Sequence, residues 1–272
     1  MSIGLGTGEA LGMDRRDTPN PTAPGYLKHS RRKDMSEKSQ ASGDMDTSER
    51  MATLAGAMTD AINHQAKGEH ETEDGARYIM DLSTVETLIE GWPNAPKRGA
   101  HQMLEQYGPP NEATPTKLFW YRAGPWKRII VTSDVVTHNF PAPHSDFLTQ
   151  YIDYQVPPEK FDEIARFDGS CLLDRTSGEV AARCDSEAAN TITLNLMHDI
   201  VTGKTVVEEA RKTFGEIMVA YTMGRSAPYA EGLQFTVPEG GTEDEDERVI
   251  DAATLGQQTV GKIKDVLTGA DE

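Results

Sequence analysis

No apolar run approaches the ~18 residues that a membrane-spanning helix needs, so hydropathy excludes such a span. The first sixteen residues, MSIGLGTGEALGMDRR, lack a basic start followed by a sustained apolar stretch, and cytoplasmic residence is the expectation. Basic residues are scarce: 27 Lys and Arg face 44 Asp and Glu, for a formal charge of −17. That balance repels phosphate backbones and anionic lipid, so nucleic acid and membrane are not expected partners. The same acidity suits a protein working in high salt, where carboxylates keep the surface hydrated, as well as an acidic protein of ordinary habitat.

Cysteine is nearly missing. Cys171 and Cys184 are the only two, and they lie symmetrically about Ser177-Gly178 in a hairpin-like stretch. A two-residue turn would set them directly opposite; a bulged turn with Gly178 in the left-handed region would set them on a diagonal. In a reducing cytoplasm free thiols are expected, with a bridge as the alternative. Catalytic signatures are missing too: there is no GxSxG, P-loop or HExxH, and no Cys–His pair at a family spacing. Gly4-Leu-Gly-Thr-Gly8 has no strand before it and no helix after it, so it is not a nucleotide loop.

What remains is unevenly distributed. Residues 1–75 carry 9 basic and 13 acidic groups among Ser, Gly, Thr and Pro, a composition that predicts a mostly disordered extension. Within it Leu54, Met58 and Ile62 repeat at helical spacing over 51–62. Residues 76–237 read as one α+β domain. Ser83-Thr-Val-Glu86 looks like a capping box opening a helix with Leu88, Ile89 and Trp92 on one face. A second helix follows to Tyr107 and ends at Gly108-Pro109.

Hairpin-forming runs come next, Lys117–Arg122 with Trp126–Thr132 and Ser170–Arg175 with Glu179–Cys184. A strand over Phe147–Val156 and a short helix lie between them. Two helices close the domain, the first capped by Asp185 or Ser186 and the second opened by Thr205-Val-Val-Glu208. The expected architecture is an antiparallel sheet of about five strands packed by four to five helices, with disordered termini. Residues 238–248 read as an acidic linker, since like charges at 243–247 repel one another. Residues 249–272 suggest a short amphipathic helix and tail, weakened by Gly256 and Gly261.

Two groups of residues are site candidates. His138-Asn-Phe-Pro-Ala-Pro-His144-Ser-Asp146, read as a Pro-rich loop, brings two imidazoles and a carboxylate together. Those are the donors that divalent transition metals favour. A pair of loop-fixing histidines bonded to backbone carbonyls is the competing reading. If a third imidazole is needed, His101 and His198 are the sources, although His198 sits among apolar neighbours on its helix. The second candidate is a ligand groove of Trp120, Arg122, Trp126, Arg128 and Phe140, in which aromatic faces and cations would hold an acidic small molecule. Core packing of those aromatics is the alternative.

From Trp92 to Phe235 the segments WPNAPKRGAHQMLEQYGPPNEATPTKLFWYRAGPWKR, HNFPAPH, DRTSGEVAARC and NLMHDIVTGKTVVEEAR resemble a family of bacterial proteins with no assigned activity. The resemblance implies a folded domain over about half the chain and no particular chemistry. The helix–Tyr107-Gly-Pro-Pro–hairpin portion is loosely similar to small outer-membrane assembly lipoproteins, but this chain has no lipobox Cys. The sequence alone therefore points to a binding or interaction protein without an evident catalytic site. The alternative is a metal-dependent, hydrolytic enzyme built on His138, His144 and Asp146.

Overall fold

A computed structural model describes residues 45–67 and 77–250. The chain divides into two compact units, Met1–His70 and Glu71–Glu272. Of the first, the described part is helix α1, Thr47–Lys67. It is longer than the 51–62 pattern because its start is capped. Asp46 Oδ1 accepts the Glu49 amide at 2.9 Å while Glu49 Oε2 accepts the Asp46 amide at 2.9 Å, a reciprocal box. None of its residues is buried. The remainder of the expected N-terminal disorder, and the tail helix from residue 251 on, lie outside the described residues.

The second unit is α+β. Its strands are β1 (Glu112–Thr114), β2 (Lys117–Ala123), β3 (Trp126–His138), β4 (His144–Asp153), β5 (Cys171–Asp174) and β6 (Glu179–Cys184). They form one antiparallel sheet in the order β1-β2-β3-β4-β6-β5. Six strands thus replace the five expected; the extra one, β1, has only three residues and no apolar alternation to reveal it. The helices are α2 (Leu82–Ile89), α3 (Asn94–Tyr107), α4 (Phe161–Phe167), α5 (Glu187–Val201), α6 (Val207–Thr222) and α7 (Pro228–Glu231). Among the described residues of this unit these are six where four to five were expected, and one of them, α7, is a single turn of four residues.

Cross-strand rows carry the packing. Leu118, Val131, Leu148 and Cys184 lie in register, and so do Trp120, Ile129, Gln150 and Ala182. All eight are buried, so this face holds the core. Helix α5 carries buried residues almost all round, from Ala188 to Ile200, as a helix covered on several sides must. Its asparagine amides tie the helix to its neighbours, although Asn190 Oδ1 accepts no hydrogen bond. Asn190 donates to the Leu148 carbonyl and to Gln150 Oε1, and Asn195 donates to the Tyr229 and Gly232 carbonyls.

Two helix starts differ from the sequence reading. Asp81, not Ser83, caps α2, accepting the Thr84 amide at 3.0 Å. Glu86 instead turns outward to His101, 3.0 Å away. Helix α6 begins at Val207 with no side-chain cap, because the Thr205 amide is taken by the Asp199 carbonyl at the end of α5. Ser186 caps α5 as one of the two expected residues.

Most consequential is β3. The Pro-rich stretch after Thr132 reads as loop in the sequence, yet the strand runs six residues further, through an irregularity between Val131 and Val136. It ends at His138, which pairs in register with His144 at the start of β4. The loop proper is only residues 139–143.

Candidate metal centre

That register places the site. His138 and His144 face each other at the mouth of the β3–β4 hairpin, with ring centroids 5.0 Å apart. Asp146 lies two residues further along β4 and pairs with Val136. Ligand atoms of His138, His144 and Asp146 all come within 4.8 Å of one another. Phe140 anchors the loop: its ring packs against Phe167 and Phe214, and the Arg211 guanidinium lies 3.8 Å above it. Arg211 is held in turn by the carbonyls of Phe167 and Arg166.

Asp146 is wholly withdrawn from water. Burying a carboxylate is costly unless its oxygens are satisfied. Oδ2 is served: the Ser170 hydroxyl donates to it at 2.5 Å, and His138 Nδ1 and Arg183 Nε stand at 3.6 and 3.8 Å. Oδ1 receives no hydrogen bond. Its neighbour is His144 Nε2 at 3.0 Å, and that contact is not a hydrogen bond when the ring is neutral. The reason lies at the other nitrogen, because His144 Nδ1 is 2.7 Å from the Ala142 carbonyl. A carbonyl only accepts, so the ring proton belongs on Nδ1 and Nε2 presents a lone pair. Cys184 Sγ approaches the same Nε2 at 3.2 Å. The thiol proton of Cys184 meets that lone pair, so Asp146 Oδ1 is the atom left without a donor.

His138 is arranged in the same way. Nδ1 faces Asp146 and the Ser170 hydroxyl at 3.4 Å, while Nε2 faces Asp168 Oδ1 at 3.8 Å. Each imidazole therefore offers one nitrogen inward and directs the other at an oxygen. Metal-binding histidines use that outer contact to fix tautomer and ring orientation. Asp168 is positioned by the Ser170 amide at 2.8 Å and by Thr193 Oγ1 at 3.1 Å. Burial pushes its carboxyl above the usual aspartate range, against the pull of those bonds and of His138. Burial, with Asp185 adding to it, likewise holds the Cys184 thiol well above its ordinary pKa.

Cys184 ends the other hairpin, Asp168 and Ser170 lie in the connection from α4 to β5, and none of the three carries a local motif. Only tertiary pairing, Leu148 with Cys184, brings them to the site. Both cysteines are free and buried. The directly opposed register does not hold; Gly178 is in the left-handed region and Cys171 pairs with Ala182 across a loop of residues 175–178, which sets the two cysteines on a diagonal. Cys184 is thereby left beyond the hairpin partner and beside His144.

The two reserve histidines are elsewhere. His101 pairs with Glu86. His198 accepts from the Tyr154 hydroxyl at 2.8 Å and stacks on Phe235 at 4.3 Å, a satisfied histidine at the core edge.

The five groove candidates do not converge. Trp120 and Trp126 are each 2% exposed and sit in the core. Their indole N–H groups are bonded, Trp120 to the Gly108 carbonyl and Trp126 to Tyr107 and Glu187. Arg122 and Arg128 pair with Asp153 and Glu179 at 3.2 and 2.8 Å, and Arg128 also covers the Tyr151 ring. Lys127 bridges both carboxylates. Burial opposes its charge, but Glu179 and Asp153 outweigh that and raise its pKa. Phe140 belongs at the opposite end of β3, with the histidines. A surface depression of about 490 Å³ is lined by two of the five, Arg122 and Trp126, with Lys127, Asp153 and Glu239; Arg122 and Lys127 are both paired with Asp153 there.

No family model, curated protein or solved structure matches this chain. Among the described residues no helix is long and apolar enough to cross a membrane.

Proposed function

We propose that this protein binds a divalent transition-metal ion through His138, His144 and Asp146. The observation that carries the reading is the fully buried Asp146 Oδ1, which accepts no hydrogen bond and lies 3.0 Å from a lone pair of His144. Two acceptors held together in a dry site repel, and a cation between them turns that repulsion into two bonds. The outward contacts to Ala142 and Asp168 support it. Imidazole and carboxylate donors suit zinc, iron, manganese or cobalt rather than calcium or magnesium. A metal-holding module in the cytoplasm, with neither nucleic acid nor membrane as partner, is the role that best fits the acidic chain.

A second reading, metal-dependent hydrolysis, draws on the ligand count. Three protein ligands leave a position for a water whose pKa the ion would lower. The His138 side chain, 20% exposed, gives that position a route to solvent.

Elemental mass spectrometry on untagged protein purified without chelator tests the proposal. About one equivalent of metal, lost in His144→Ala but kept in His198→Ala, is expected. Protein that stays metal-free after incubation with zinc and desalting would overturn it.

A further inference from the structure

Strand β5 closes one side of the sheet and, among the described residues, pairs with β6 alone. The described chain ends close by. We propose that segment 251–272, which lies outside the described residues, folds back onto a groove between β5 and α4 and covers that sheet edge.

The groove holds about 480 Å³ and is lined by Phe161, Asp162 and Ala165 of α4 and by Cys171, Leu172 and Leu173 of β5. Leu172 and Leu173 are consecutive in a strand, so they point to opposite faces. An occupant that touches both lies along the edge and not on one face. Native proteins blunt such edges with Lys, Pro, a bulge or a covering element. Strand β5 reads Cys-Leu-Leu-Asp in unbroken register and has none of the first three.

The path of the chain selects the occupant. Thr242 is seated on Gly178, and Asp244 and Asp246 pair with Arg175, the residue after β5. A narrow cleft shares Phe161 and Leu173 with the groove, and Arg175 and Gly178 with this anchor. Val249 and Ile250 then leave the anchor 93% and 50% exposed. Beyond them Val260, Ile263 and Leu267 repeat at i, i+3 and i+7, one face of a helix. Residues 247–259 reach roughly 40 Å when extended, at ~3.3 Å per residue, well beyond the length of a four-residue strand. The tether makes docking intramolecular, at an effective concentration on the order of millimolar, so a small apolar face suffices. Charge agrees. Lys262 and Lys264 flank Ile263, and Asp162, 82% exposed despite its pairing with Arg166, borders the groove.

Photo-crosslinking in the full chain tests the docking. With benzoylphenylalanine in place of Ile263, irradiation of dilute protein is expected to give crosslinks to residues 161–165 or 171–173 at monomer mass. The same crosslinks at dimer mass overturn the proposal in favour of a second copy's segment. Crosslinks elsewhere, or none, overturn it outright. Hydrogen exchange gives a second readout. Amide protection across 171–174 should fall several-fold in Ile263→Asp and stay unchanged in Val249→Asp, because Val249 faces solvent. Equal protection in wild type and Ile263→Asp would mean that the segment does not cover β5.

Discussion

Gly178 and Thr242 approach so closely that a Cβ on Gly178 would fall 2.2 Å from the Thr242 carbonyl group. The contact explains how the acidic segment after the domain is held. Expected from its like charges to be an unstructured linker, it lies against the β5–β6 turn instead. Thr242 Oγ1 donates to the Gly178 carbonyl at 2.8 Å, and Arg175 pairs with Asp244 at 3.4 Å and also with Asp246. A single arginine thus offsets repulsion within the block.

Gly178 has φ +63°, where any Cβ costs about 1–2 kcal/mol. In Gly178→Ala that cost adds to a collision with backbone, which cannot rotate away. Thr242→Val removes only one hydrogen bond, worth about 1 kcal/mol. Urea unfolding should therefore rank Gly178→Ala below Thr242→Val, and limited proteolysis should cut the Gly178→Ala protein after residue 242 sooner than wild type. Equal stability of the two variants would mean that the strap is not seated on the turn.

The Tyr154–His198 pair predicts how stability responds to pH. His198 is held below its ordinary pKa by burial chiefly, and further by Lys204, against the opposing Asp199 charge. Below about pH 6.5 the unfolded chain takes up a proton at this residue that the folded chain resists. The contribution is therefore complete above that pH and is lost as pH falls through the range between the unfolded and the lower folded value. Tyr154 works at the other end. Burial pushes its phenol up to about 12, so stability is complete below about pH 10 and declines as pH rises toward the folded value. Urea midpoints measured from neutral pH down to about pH 5 should fall for wild type and fall less for His198→Gln. An identical slope in the variant would assign the acid loss to other groups.

How far such a site can be read from sequence depends on whether the pairing is local. The helices α3 and α5 were visible because Ala100 and Met103, or Ala189, Ile192 and Leu196, repeat at the helical period, and the structure buries those residues. Both hairpins were visible from their glycine turns. The capping boxes misled because Asp81 starts α2 two residues earlier and the Asp199 carbonyl takes the Thr205 amide. Short-range reading brought His138, His144 and Asp146 together as neighbours in a nine-residue stretch, though it took for loop what is the end of two strands. Cys184, 40 residues from His144, was beyond reach. Its register depends on loop length at 175–178 and on β4 pairing with β6, and neither has a signature in composition or period. The aromatic groove failed for a related reason. Trp120 and Trp126 occupy a strand pair in the manner of ligand-binding aromatics and of core aromatics alike, and only the helices laid over them decide between the two.

Phe140 ties the candidate metal site to the core, which makes it a test of whether the loop or the strands preorganise the ligands. Its ring is half-buried among Phe167, Phe214 and Arg211, with centroids 6.1 and 5.1 Å away for the two phenylalanines. Truncating a fully buried Phe costs about 3–5 kcal/mol; for this half-buried ring about 1–3 kcal/mol is expected. The loss should reach the site through Ala142, whose carbonyl fixes His144 and sits two residues from Phe140. Phe140→Ala is thus expected to weaken zinc binding by about 10–100-fold, the usual cost of a lost orienting contact, while Phe140→Leu keeps most of the affinity. Competition against a chromophoric chelator measures both. If Phe140→Ala binds zinc as tightly as wild type, strands β3 and β4 alone hold the imidazoles in place and the loop contributes only to stability.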